Sequence, residues 1–173
     1  MEVKPYIHNV QYYETDRMGI THHSNYIRFM EEARIDFLAQ LGYEYAKLEA
    51  MGVVSPVTKV ECQYKVPTTF ADEIRIFILV EECSFARLRL RYKMLNQNSV
   101  VVCTAASEHC FVSPEGKIIR IDRDFPDFFA TLKEQSEANS HRIVNGFTAR
   151  QPAGFIFYIH PIDNFICQCY TPK

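Results

Sequence analysis

One helical stretch followed by three stretches of period two and a run of small apolar residues constrains this chain more than any other feature. Tyr26, Phe29, Met30, Ala33, Phe37, Leu38 and Leu41 recur at helical spacing, Ser24 or Asn25 stands where a cap is needed, and Gly42 supplies a stop. The stripe is wide, and Ile27 and Ile35 fall outside it, which predicts a core helix buried on more than one side. A second short helical piece runs from about Tyr43 to Met51 and ends at Gly52. From there the period is two. Thr58, Val60, Cys62, Tyr64 and Val66 alternate with Lys59, Glu61, Gln63 and Lys65 until Pro67. Ile74, Ile76, Ile78 and Val80 continue the pattern. After a turn near Ser84, Leu88, Leu90, Tyr92 and Met94 alternate with Arg87, Arg89, Arg91 and Lys93. Asn96-Gln97-Asn98 turns the chain into Val100 to Val112, whose small apolar residues predict a more deeply buried strand, closed by the turn Pro114-Glu115-Gly116-Lys117.

Ahead of the helix, the aromatic run from Val3 to Tyr13 predicts a strand that delivers Asp16 at its end. One strand, one long helix and four successive antiparallel strands define an α+β fold. Its shape is an antiparallel curled β-sheet wrapped around a long central helix, known as the hotdog. Asp124-Phe125-Pro126 opens a terminal helix through about Glu137, with Asp124 as its cap and Pro126 in its first turn. Past Ala138 no period persists, and Gly146, Pro152, Gly154, Pro161 and Pro172 interrupt the apolar patch Phe155 to Ile159. The expected organisation is a domain of residues 1–138 and a C-terminal extension of residues 139–173.

Composition narrows the function class. A chain of 173 residues that is 47% hydrophobic, with a formal net charge of -2, fits one globular domain with a substantial core. Lys and Arg are spread along it without the basic excess of a nucleic-acid binder. Cys62, Cys83, Cys103, Cys110, Cys167 and Cys169 lack the C-x-x-C spacing of a zinc or redox site and are expected to be small core residues, so no metal is expected. No stretch approaches the ~20 uncharged apolar residues that cross a bilayer, and the first residues lack the apolar core of a signal peptide. A cytoplasmic protein without a membrane span is the expectation.

The chemistry concentrates in Asp16-Arg17-Met18-Gly19-Ile20-Thr21-His22-His23-Ser24-Asn25-Tyr26. A carboxylate near an imidazole and the free N–H groups of a helix start offers a base or nucleophile, a polarising donor and an oxyanion site within eleven residues. Taken singly, each residue has a plainer role. Asp before Gly ordinarily forms a turn, a histidine near a helix start ordinarily lies on the surface or caps, Asn25 is a natural N-cap and Tyr26 a natural core residue. His22 and His23, adjacent at a helix entry, are expected to diverge. The stripe Arg87, Arg89, Arg91 and Lys93 is most simply a solvated strand face.

Together the residues say more. The run Tyr12-Tyr13-Glu14-Thr15-Asp16 through Tyr26, followed by Glu32-Ala33-Arg34, resembles the signature of the 4-hydroxybenzoyl-CoA thioesterase family, particularly its branch of short-chain acyl-CoA thioesterases. The likeness covers roughly residues 5 to 135. It implies a catalytic Asp16, and a His23, seven residues later, at the helix start where a backbone N–H polarises the thioester carbonyl. In the short-chain branch that position is commonly a histidine, whereas His22 stands where an aromatic or apolar residue is more usual. Gly19, Asn25 and Tyr26 are then candidates to line the substrate pocket, and Arg87 to hold coenzyme A phosphates through its forked donors. The implied activity is hydrolysis of a small or medium acyl thioester of coenzyme A or acyl carrier protein, without cofactor, in a homodimer or homotetramer that covers the open sheet edges. Two rivals remain: a hotdog dehydratase or hydratase acting on a hydroxyacyl thioester, and a non-catalytic acyl-CoA-binding module.

Overall fold

The computed structural model describes residues 3–144. Five strands form one antiparallel sheet in the order β1-β3-β4-β5-β2, from β1 (Tyr6–Asn9), β2 (Val57–Tyr64), β3 (Glu73–Cys83), β4 (Arg87–Asn96) and β5 (Val101–Cys110). Helix α1 (Asn25–Gln40) packs against the sheet, and the short α2 (Tyr45–Ala50) follows it. The period-two residues Ile74, Ile76, Val80, Leu90, Tyr92, Met94 and Val102 meet Tyr26, Phe29, Met30, Ala33 and Phe37 of α1 in one core. Each such side chain stabilises the fold by about 1.5–3 kcal/mol through removal from water. Gly42 ends α1 as expected, at φ +91°, a conformation that glycine alone adopts without strain.

Several expectations need correction. Helix α1 is buried on one side only, since Ile27 and Ile35 are 44% and 40% exposed in the single chain. Its Ser24 cap residue makes no side-chain capping bond, and Asn25 is already the first helical residue. The strand expected from Val3 to Tyr13 shrinks to Tyr6–Asn9, because β1 finds partners only along Glu73–Ile76. Val10 then bonds to the backbone of Asp72 and Ala71, and Tyr12–Glu14 curls into a 3₁₀ turn. The arginine stripe on β4 is not merely solvated. Arg89 is ion-paired with Glu81, Glu61 and Glu108, Arg91 with Glu81, and Lys93 is buried.

At the C-terminal end, a single turn α3 (Ile121–Asp124) precedes α4 (Pro126–Val144). Asp124 lies in α3 rather than capping α4, and its carboxylate accepts the Arg120 N–H at 3.2 Å. Phe128 of α4 packs on Tyr43 and Phe111, and the Ser136 hydroxyl reaches the Glu81 carbonyl, so α4 shields the part of β3 that β1 leaves unpaired. Asn139 is buried at the expected boundary, which the helix crosses. The patch Phe155 to Ile159 and Cys167 and Cys169 lie outside the described residues. Cys83 and Cys103 are buried, Cys62 and Cys110 half-buried, and all four are free thiols. No described helix is long and apolar enough to cross a membrane.

Candidate active site

Asp16 sits at the base of a tight hairpin, not at the end of a strand. Its N–H donates to the Ile20 carbonyl at 2.9 Å, its carbonyl accepts from the Gly19 N–H at 2.9 Å, and Thr15 pairs with Thr21. Gly19, at φ +76°, closes the three-residue loop in the left-handed region that this hairpin class needs at its last position. One carboxylate oxygen of Asp16 accepts the Met18 N–H at 2.7 Å. The other makes no hydrogen bond among the described residues, and the residue is half-exposed.

The segment just before β3 holds this hairpin in place. The Thr68 carbonyl accepts the Thr21 N–H at 2.7 Å, the two threonine hydroxyls meet at 2.7 Å, and the Thr69 hydroxyl donates to the Gly19 carbonyl at 2.8 Å. Tyr26 joins from α1, its hydroxyl 2.9 Å from that of Thr68, and burial pushes its phenol up from the ordinary value. Asn25 is buried too, and its side-chain amide donates to the Glu14 carbonyl at 2.7 Å. Both residues brace the site from within: the Tyr26 hydroxyl and the Asn25 amide are spent on the protein's own groups.

His23 is exposed at the entrance to α1, and its N–H has no hydrogen-bond partner among the described residues. Such an N–H at a helix start is an oxyanion donor in waiting. The neighbouring His22 does not diverge from it. The two rings lie 4.2 Å apart at 34°, and His22 Nδ1 is 2.8 Å from the Ser24 hydroxyl. That short contact with Ser24 turns the His22 ring back over the helix start, which sequence adjacency alone did not suggest.

Arg87 is not brought to this site within one chain. It begins β4 beside the Ser84 turn, while the Asp16 hairpin packs on residues 68–72 at the opposite end of the sheet, where Asn96 pairs with Ile74. A ten-residue strand spans about 30 Å. A small depression lined by Val3, Tyr6, Phe37 and Leu79 includes neither Asp16 nor His23. Among the described residues, no three His, Cys, Asp or Glu side chains converge as a metal site.

Tyr64 was not foreseen. It reads as an ordinary inward residue of β2, yet its hydroxyl donates to the His23 carbonyl at 3.0 Å, and its ring meets Tyr26 edge-on at 5.2 Å. Burial, then the Cys62 thiol, pushes its phenol up to about 12, so it keeps its proton and remains a donor. No local pattern could reveal it, because its partner lies 41 residues away.

A half-exposed carboxylate on a braced hairpin thus precedes an unpaired helix-start N–H in the chain, and relatives carry the same fold. Residues 10–135 match the model of the thioesterase-like superfamily. A candidate esterase of Aquifex aeolicus is 37% identical over 119 residues, 69% of this chain and 91% of that one. A candidate acyl-CoA thioesterase of Bacillus subtilis is 32% identical over 126 residues, 72% of this chain and 91% of its own. Among solved structures, a DHNA-CoA thioesterase from Staphylococcus aureus superposes with a TM-score of 0.75 at 30% identity, over 80% of this chain and 93% of that one. This chain belongs to the thioesterase-like superfamily.

Proposed function

We propose that the protein hydrolyses the thioester of a small or medium acyl-CoA to the free acid and coenzyme A. The observation that carries this reading is the half-exposed Asp16 carboxylate on its braced hairpin, seven residues ahead of the unpaired His23 N–H at the start of α1, in a chain of the thioesterase-like superfamily. Asp16 acts on the thioester carbonyl as nucleophile or as the base that takes a proton from water, while the His23 N–H receives the oxygen that gains negative charge. Along the nucleophilic route, the carboxylate bonds to the carbonyl carbon, the coenzyme A thiolate leaves, and water then cleaves the mixed anhydride. Along the base route, water adds directly and the same thiolate leaves. Gly19, Asn25 and Tyr26 shape the substrate's approach through their backbone.

A homodimer at least completes the site in this reading. Two observations support it: β2 pairs only with β5, which leaves its other edge open among the described residues, and Asp16 stays half-exposed in the single chain. Arg87, at the far end of β4 from the Asp16 hairpin, would then reach coenzyme A only across subunits. Four free cysteines accord with a reducing, cytoplasmic setting. An extension beginning near residue 139 is proposed to be separable from the catalytic domain.

The test is a panel of acyl-CoA and acyl carrier protein thioesters read for free thiol release. Hydrolysis liberates thiol from at least one member. Hydration of an unsaturated acyl group without thiol release would identify a hydratase, and binding with neither outcome a sensing module. Light scattering that reports only the ~20 kDa monomer at full activity would overturn the dimer.

A further inference from the structure

His8 is a buried histidine that the proposed reaction leaves without a role. It stands on β1 at 8% exposure, and its ring packs on Phe29 with centroids 3.9 Å apart. Each of its nitrogens meets a carboxylate: Nε2 lies 2.9 Å from Glu14 Oε2, and Nδ1 lies 3.0 Å from Glu32 Oε2. Glu14, in the 3₁₀ turn, is itself only 4% exposed and also accepts the Gln11 N–H at 2.8 Å. Glu32 comes from α1 and receives the Tyr6 hydroxyl at 3.1 Å. A ring with hydrogens on both nitrogens satisfies both carboxylates; with one hydrogen, a lone pair would face a carboxylate oxygen.

The same Glu14 grips the reaction loop with its backbone. Its carbonyl accepts the His22 N–H at 2.8 Å and the Asn25 side-chain amide at 2.7 Å. Glu14 therefore ties its carboxylate inward to His8 and its carbonyl outward to the start of α1. Asp16 follows two residues after this anchor and His23 directly follows His22. Both proposed reacting groups hang from one residue.

We propose that the His8–Glu14–Glu32 cluster is the positioning device of the reaction loop, holding Asp16 and the His23 N–H in register by clamping Glu14 between β1 and α1. This rests on the proposed thioesterase reading. His8 and Glu14 are buried and the cluster acts on the loop through the Glu14 carbonyl, so His8, Glu14 and Glu32 are positioning residues and not catalytic ones. A mere structural bridge would need only the carboxylate contacts; the second grip, through the Glu14 carbonyl, is what links the bridge to the loop. Misplacing reacting groups by about 1 Å can lower a rate ~100-fold without weakening binding, so a clamp of this kind acts on turnover.

Full-length variants test it against wild type on the same acyl-CoA panel. Glu32 is the milder site, its side chain being 43% exposed. Glu32→Gln is expected to fold as wild type and to lower kcat ~5-fold with KM unchanged. The triple variant His8→Leu, Glu14→Gln, Glu32→Gln removes every charge of the cluster at once, so no carboxylate is left buried without its partner. It is expected to keep KM and to lower kcat by ~30-fold, and by far less when Asp16 is already Asn, because a loop that no longer presents Asp16 has nothing left to misplace. Wild-type kcat in Glu32→Gln overturns the proposal, as does an undiminished loss in the Asp16→Asn background. A second readout needs no turnover. Hydrogen exchange at the His22 amide is expected to quicken at least ~10-fold in Glu32→Gln, while exchange in the β4 core stays as in wild type. If wild type releases no thiol from any substrate, the thioesterase reading fails, and the His22 amide alone decides the clamp: unchanged exchange overturns it.

Discussion

Two buried histidines in this fold lie in opposite electrostatic surroundings. His8, on the edge strand β1, is flanked by the carboxylates of Glu14 and Glu32, with Asp36 one turn further along α1. His109, on β5, is 2% exposed and faces no carboxylate. Its Nε2 lies 2.7 Å from the Ser107 hydroxyl, which in turn meets the Tyr92 hydroxyl at 2.8 Å, and its Nδ1 has no hydrogen-bond partner among the described residues. Burial first, and then the Arg34 guanidinium, pulls the His109 imidazole down to about 4. The anionic nest holds a loop that must keep one shape, whereas the hydroxyl chain fills the core between strands and α1. Ser107 beside His109 has the look of a nucleophile and base, yet Ser107 is 3% exposed, which leaves a substrate no path to it. Adjacency alone does not make a site.

The sharpest way to break this contrast is acid. Because folding depresses His109 from an ordinary 6.5 to about 4, the unfolded chain takes up the proton first as pH falls. His109 therefore contributes its full share of stability above about pH 6.5 and loses it progressively down to about 4. The loss is on the order of 3 kcal/mol. Denaturant melts between pH 7 and pH 4 would show it, and His109→Gln would flatten that part of the profile. An equally steep fall in the Gln variant would assign the acid sensitivity elsewhere.

Next in size is the loss of Asp16. Asp16→Asn keeps the shape of the hairpin and an oxygen for the Met18 N–H, so melting temperature and oligomer size are expected to hold while turnover falls ~100-fold. If Asp16 serves only the turn, the opposite follows: about 1 kcal/mol of stability lost with turnover kept. In a single turnover in heavy-oxygen water, label in the Asp16 carboxylate marks an acyl-enzyme whose anhydride water opens at the Asp16 carbon, whereas the base route labels the product acid alone.

Smaller effects sharpen the contrast on the reaction side. Tyr64→Phe deletes the hydroxyl that holds the His23 carbonyl and keeps the ring against Tyr26, so kcat is expected to drop ~5- to 10-fold with KM steady. His23→Ala is expected to cost less than Asp16→Asn, because the backbone N–H stays in place. A His23→Ala loss as deep as that of Asp16→Asn would make the imidazole itself a catalytic group.

What the sequence revealed follows the reach of each interaction. The turn at Asp16 to Gly19 was legible because Asp16, Gly19 and Ile20 bond one another within five residues, whereas the hairpin it closes was hidden behind an expected strand. Strands β2 to β4 were legible because each shows the core one side of a pleat, which leaves a period of two, and β5 because its small apolar residues suit a strand buried on both faces. Ile27 and Ile35 misled because apolar character permits burial without requiring it. The aromatic run after Asn9 looked like strand, but strand propensity does not supply a partner, and β3 offers only Glu73–Ile76 to pair with. His8 and Tyr64 stayed hidden for the same reason in sharper form, since Glu32 and His23 lie 24 and 41 residues away from them.

The smallest expected effect concerns the C-terminal end. The family likeness stops at residue 135, but α4 continues to Val144, and Gln135 and Asn139 are both buried. A cut after Ala138 would remove Asn139 and the last turns of the helix that covers β3 beyond β1. A cut after Val144 would leave every described contact in place. We therefore expect the chain ending at Val144 to keep its turnover within about twofold and its melting temperature within about 3 °C, and the chain ending at Ala138 to melt lower. Lower melting of the shorter chain would place the boundary of the catalytic domain at the end of α4, and equal melting of the two chains would keep it at 138. Insolubility or inactivity of the Val144 chain would instead make Phe155 to Ile159 part of the core or of the contact between subunits.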